Sequence, residues 1–114
     1  MKLLITGSRN FTDYDKFKEI MNQYEHNIQL IIHGGAIGVD SLAERYAIEF
    51  DINSKIVLPV KPIQRNNYLY RNCEMIALCD EVLAVWDGKS TGTIFTINYA
   101  TSRGKKVKII KVLQ

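Results

Sequence analysis

The chain has 114 residues, room for one domain around one core, so residues 1–114 are expected to form a single domain. Hydrophobic residues make up 46% and charged residues 24%, which excludes a disordered or membrane-embedded chain. The formal net charge of +3 argues weakly for an anionic ligand and more weakly for DNA, because dedicated nucleic-acid domains are more basic.

The first strand is predicted over residues 2–6, where apolar residues run straight into a glycine turn with no signal-peptide pattern. With no apolar run near the roughly 20 residues that span a bilayer, a cytoplasmic protein without membrane contact is expected. A first helix is predicted from Thr12, whose hydroxyl is expected to cap with Asp15, and its stripe is Tyr14, Phe17, Met21 and Tyr24. It ends before Asn27, and a second strand follows over residues 29–33. The second helix is expected from Asp40 or Ser41, with Ser41 and Glu44 at capping-box spacing and Leu42, Ala43, Tyr46, Ala47 and Phe50 buried. Asp51 and Asn53 mark its exit.

A third strand is predicted over residues 55–59. After the Pro59 and Pro62 breaks, a third helix over residues 65–79 carries Leu69, Cys73 and Ile76 on one face and Tyr68, Arg71 and Met75 on another. Cys73 and Cys79 lie about 240° apart on such a helix, too far round to pair, and read as free thiols of a reducing compartment. A fourth strand over 81–86 leads to a helix that begins between Ser90 and Thr93, turns Ile94, Ile97 and Ala100 to the sheet, and stops at Gly104. The last strand covers 106–112. Strands alternating with helices predict a three-layer α/β fold, Rossmann-like, with a five-stranded parallel sheet whose Val, Ile and Leu runs are buried on both faces.

Three strands are followed at once by small, hydroxylated or glycine residues: Thr6-Gly7-Ser8-Arg9, then Gly34-Gly35-Ala36-Ile37-Gly38-Val39-Asp40, then Asp87-Gly88-Lys89-Ser90-Thr91-Gly92-Thr93. Ligands of open α/β sheets lie at the carboxyl ends of the strands, so the three turns are expected to converge on one crevice. Glycine turns and helix N-termini favour anions there, and phosphate is the first candidate. A side chain at Gly35 is expected to obstruct a phosphate. None of the loops is a Walker A sequence or the dinucleotide fingerprint, so neither a P-loop nor NAD is inferred, and no cofactor is expected. Arg9 and Arg71 are candidates to grip a phosphate, and Lys89 a point charge. Asp40 and Asp87 suit ribose hydroxyls or a base amine, although N-capping or turn formation explains them equally well. Trp86, Phe11 and Tyr68 are stacking candidates, with core packing the alternative for Trp86. His26 and His33 have no metal-ligand spacing around them, and no metal site is expected.

Four ordered motifs carry a resemblance over almost the whole chain: Thr6-Gly7-Ser8-Arg9 with Phe11; Gly34-Gly35-Ala36 with Gly38-Val39-Asp40 and Leu42-Ala43; Arg71-Asn72 with Met75; and Trp86-Asp87-Gly88 with Ser90 and Gly92-Thr93. Together they resemble the small stand-alone proteins of the SLOG superfamily, the set catalogued as DUF2493, Rossmann-like relatives of Smf/DprA and of the LOG enzymes. The resemblance implies the strand order 3-2-1-4-5 and a nucleotide-derived, signalling-type ligand in a sensing, defence or counter-defence context. A homo-oligomer is expected, since such small domains often complete their sites at a symmetric interface. LOG enzymes release a base from a nucleoside monophosphate using an arginine, which Arg71 matches, and a glutamate, where this chain has Thr96. The resemblance therefore leaves two alternatives beside a binding module: a LOG-like phosphoribohydrolase, and DprA-like binding of single-stranded DNA.

Overall fold

The computed structural model describes residues 1–24, 26–61 and 64–112; the Pro62 break lies outside them. Strands and helices alternate as β1 (Lys2–Gly7), α1 (Tyr14–Met21), β2 (Leu30–His33), α2 (Val39–Glu49), β3 (Asn53–Ile56), α3 (Arg65–Leu78), β4 (Glu81–Trp86), α4 (Thr91–Ser102) and β5 (Lys106–Lys111). The sheet is parallel throughout, in the order β3-β2-β1-β4-β5, as expected. The chain winds outward from β1 to β3 and then returns to β4 on the other side of β1. The carboxyl ends of β1 and β4 therefore flank the switch point, where open α/β sheets bind ligands.

Side chains of a strand alternate between faces, and β1 divides the core accordingly. Leu3 and Ile5 join Phe17, Ile31, Leu42, Ala43, Leu83 and Val85 under α1 and α2. Leu4 joins Ile32, Met75, Ile76, Val82 and Ala100 under α3 and α4. No helix among the described residues is long and apolar enough to cross a membrane.

Burial on both faces holds for the inner strands and fails at the edges. β3 starts two residues earlier than the sequence pattern suggests, and all four of its residues are exposed. Only β2 pairs with it, and after Ile56 the chain leaves the ladder, so the apolar run from Ile56 to Leu58 does not extend the strand. β5, the other edge, exposes Lys106, Lys108 and Lys111.

Helix starts also differ in detail. Asp13 rather than Thr12 caps α1, its Oδ1 accepting from the Lys16 amide at 3.1 Å, because a carboxylate is the stronger acceptor beside a helix N-terminus. The Ser41–Glu44 capping box does not form. The Ser41 hydroxyl donates to the Ala36 carbonyl at 3.0 Å, and Glu44 is drawn away by His33, 2.8 Å distant. Phe50, expected in the core, is half exposed; its ring lies 4.4 Å from that of Tyr46 at the rim. α3 ends at Leu78, and Cys73 and Cys79 are both free.

Candidate functional site

Ser8 ties the three loops together. Its amide donates to the Val85 carbonyl at 3.0 Å, its carbonyl accepts from Val39 N at 3.2 Å, and its hydroxyl accepts from Asp87 N at 2.9 Å. The residues around this knot are packed with no space to spare. A Cβ on Gly7 would collide with the Val85 carbonyl, and one on Gly38 with the Ser8 carbonyl. Val39 and Phe11 are core residues. Gly7, Ser8, Phe11, Gly38 and Val39 therefore build the frame of the crevice, and of these only Gly7 reaches its lining.

The second loop binds itself. Gly34 N and Ala36 N both donate to Asp40 Oδ2, at 3.1 and 3.2 Å, and Gly35 N donates to His33 Nδ1 at 3.0 Å. With Nδ1 accepting, His33 carries its proton on Nε2 and donates it to Glu44, whose carboxyl is held below its usual range by this bond and by the Ser54 hydroxyl. The amides that the glycines were expected to offer to a phosphate thus already hold an internal anion. Gly35, at φ +71°, directs its would-be Cβ toward Leu58 and Ile56 on the β3 edge and not into the crevice. A side chain there strains the backbone instead of obstructing a phosphate.

In the third loop Asp87 Oδ1 accepts from the amides of Lys89 and Ser90 at 2.8 and 2.9 Å, which lowers its pKa and makes it a turn residue. Gly88 lies at the outer side of this turn, against the end of Lys111. Trp86 is likewise engaged, its indole N–H donating to the Ser90 carbonyl at 3.1 Å. α4 then starts without a side-chain cap. Thr91, Gly92 and Thr93 of its first turn line the crevice, where a helix N-terminus carries partial positive charge.

From α3, Arg71 enters the crevice nearly buried, at 8% exposure. Its Nη1 donates to the carbonyls of Gly34 (2.6 Å) and Val57 (3.2 Å), and its Nε to Asn72 Oδ1 (2.9 Å). Burial lowers its pKa while the Asp40 carboxylate raises it. Nη2 has no partner among the described residues. The Tyr68 ring centroid lies 5.4 Å from the Arg71 guanidinium and 5.7 Å from that of Arg9, so the ring is already engaged by cations.

These groups surround a pocket of about 470 Å³ over the switch point, within the size range of small-ligand sites. It is lined by Gly7, Arg9, Ala36 and Asp40 from the first two loops, by Arg71, Asn72 and Met75 from α3, and by Ser90, Thr91, Gly92 and Thr93 from the last loop. Gly34 lies behind it, clamped between Asp40 and Arg71. Thr6 of the first motif and the stacking candidate Tyr68 line it as well, and so do Gln64 and Leu69, which the motifs did not include. Gln64 lies four residues before Tyr68 and seven before Arg71, so helical spacing was the available signal for it, whereas Leu69, expected on the face of Cys73 and Ile76, gave no such signal.

No protein-family model matches the chain, and no curated protein does. Solved structures do. DNA processing protein A (DprA) of Streptococcus pneumoniae matches with a TM-score of 0.82 and 18% identity, over 97% of this chain and 50% of that one. The Helicobacter pylori protein of the same name, described for its single-stranded DNA binding mode, matches at 0.76 and 24%, over 96% of this chain and 64% of that one. A structural-genomics target, TM1055, matches at 0.70 and 20%, over 93% and 71%. The chain thus spans half to two thirds of the length of the DprA structures, and what it shares with them is the Rossmann-like fold.

Proposed function

We propose that the chain binds a nucleotide or nucleotide-derived ligand, with a phosphate of that ligand seated between Arg71 and the N-terminus of α4. One observation carries this reading: the uncapped first turn of a twelve-residue helix and the open Nη2 of a buried arginine line the same pocket. Backbone amides and a guanidinium converging from two elements are suited to a phosphate and poorly suited to an apolar or cationic ligand. The motif resemblance to stand-alone SLOG proteins of the DUF2493 type supports the same ligand class and a role in ligand sensing, in a homo-oligomer.

The proposed function is binding without base release. Glycosidic cleavage needs a group to stabilise an oxocarbenium-like transition state, and position 96 holds a buried threonine whose hydroxyl donates to the Gly92 carbonyl at 3.1 Å. A second reading, single-stranded DNA binding, is favoured by the likeness to the DprA structures and by the exposed lysines of β5.

Titration calorimetry with adenosine, guanosine, cytidine and uridine 5′-monophosphates and with oligothymidylates of increasing length separates these readings. The proposal expects saturable 1:1 binding of at least one mononucleotide per chain, no release of free base, and no gain in affinity with strand length. Affinity that rises with length and falls steeply with salt assigns the DNA function instead.

A further inference from the structure

Asp40 and Arg71 hold opposite sides of one residue. The carboxylate takes the Gly34 amide and the guanidinium takes the Gly34 carbonyl, so an acceptor and a cation stand next to each other on the pocket wall. Asp40 is buried, at 8% exposure, and among the described residues it is Oδ2 that is engaged, by the amides of Gly34 and Ala36. No buried side-chain polar atom among the described residues is left unpartnered, and Oδ1 has no partner among them, so this oxygen opens on the pocket that Asp40 lines. A buried carboxylate with one oxygen fixed by two amides and the other aimed into a cavity is a built acceptor.

We infer that Asp40 Oδ1 accepts hydrogen bonds from the vicinal hydroxyls of a ribose, so that the pocket selects ribonucleotides over deoxyribonucleotides. The inference rests on the nucleotide reading above and names the part of the ligand that Asp40 takes. The donor must belong to a group close to the phosphate, because Asp40 and Arg71 flank a single residue. Ribose hydroxyls lie a few bonds from a 5′-phosphate, whereas a base amine is separated from it by the whole nucleoside. The carboxylate also repels phosphate, which confines the anion to the Arg71 and α4 side and fixes the direction in which the ligand enters. Burial pushes the Asp40 carboxyl up, while the amides and Arg71 favour its charged form. A neutral hydroxyl donor satisfies that carboxylate without adding charge.

The experiment compares adenosine 5′-monophosphate with its 2′-deoxy and 3′-deoxy forms by calorimetry, on the parent protein and on Asp40→Asn. A hydrogen bond to a charged acceptor predicts roughly 10- to 150-fold weaker binding when the paired hydroxyl is absent. The asparagine oxygen still accepts from Gly34 and Ala36, so the variant is expected to fold, and its amide offers a donor where Oδ1 was an acceptor. Its discrimination between ribose and deoxyribose is expected to fall to within about threefold. Equal affinity of the parent for all three nucleotides overturns the inference while leaving nucleotide binding intact, and discrimination that persists in Asp40→Asn assigns the hydroxyls to another residue. Failure of all three to bind overturns the nucleotide reading and the inference with it. Should the variant not fold, 2′-O-methyl and 3′-O-methyl adenosine 5′-monophosphate make the same comparison on the parent: loss of affinity for at least one supports the inference, and parent-like binding of both contradicts it.

Discussion

Gly38→Ala is expected to lower the melting temperature by about 15 °C, the largest stability loss for the smallest change in the molecule. Gly38 has φ +78° and ψ −129°, a region that residues with a Cβ rarely occupy, at a cost of about 1–3 kcal/mol. The added methyl would also collide with the Ser8 carbonyl and lie 2.5 Å from Arg9 Cα. Backbone cannot rotate away as a side chain can, so overpacking adds about 1–3 kcal/mol more. A total near 4 kcal/mol is a large part of the roughly 5–15 kcal/mol that holds a domain folded. Gly92→Ala is the control: its Cβ would meet nothing within 4 Å, and alanine favours the helix that begins there. Thermal melts followed by circular dichroism should show a deep loss for Gly38→Ala and none for Gly92→Ala. A Gly38→Ala protein that melts within 2 °C of the parent, on the order of the smallest shift a single substitution gives, would show that the α2 entry is not packed on Ser8 and Arg9.

Arg71→Ala should weaken adenosine 5′-monophosphate binding by roughly 10- to 150-fold, the loss of one or more charge-assisted hydrogen bonds. The same change leaves the Gly34 and Val57 carbonyls without their guanidinium donor, so a stability loss of about 1–3 kcal/mol should accompany it. Arg71→Lys separates the two effects. An ammonium can reach one of those carbonyls and restore part of the stability, but it cannot bond both carbonyls and a phosphate at once in one plane. Arg9→Ala, by contrast, removes an exposed cation at the rim, and its effect should be smaller and should fade as salt rises. Calorimetry on the folded variants checks this order; an Arg71→Ala protein that binds as tightly as the parent removes Arg71 from the site.

The sheet was legible because its inner strands are continuous apolar runs and its helices carry a 3.6-residue stripe, and both patterns are local. The edges were less so. Residues 55–59 read as a buried strand, but pairing stops at Ile56 and the Val57 carbonyl turns to Arg71, a contact set by a helix later in the chain. The pocket face of α3 followed from the spacing of Tyr68, Arg71 and Met75. The division of labour in the glycine loops did not. Spacing alone places Asp40 in the first turn of α2, but only the folded path of the chain brings Gly34 N and Ala36 N within reach of one carboxylate oxygen. The same holds for Ser8, whose bonds to Val39, Val85 and Asp87 connect elements far apart in sequence. Asp87 shows the reverse: its turn with Lys89 and Ser90 is local, and turn formation was one of the two readings its sequence context allowed.

A phosphate is expected to sit on the first turn of α4 opposite Arg71. Amide chemical shifts of ¹⁵N-labelled protein, followed through a titration with adenosine 5′-monophosphate at constant pH and salt, test it residue by residue. The largest saturable shifts are expected at the backbone amides of Thr91, Gly92 and Thr93 and at the Arg71 Nη2 protons, whereas Gly34 and Ala36, already bonded to Asp40, should move less. Saturable shifts confined to other surfaces, such as the lysine-bearing β5 edge, or an unchanged spectrum with each of the four ribonucleoside 5′-monophosphates, would contradict it.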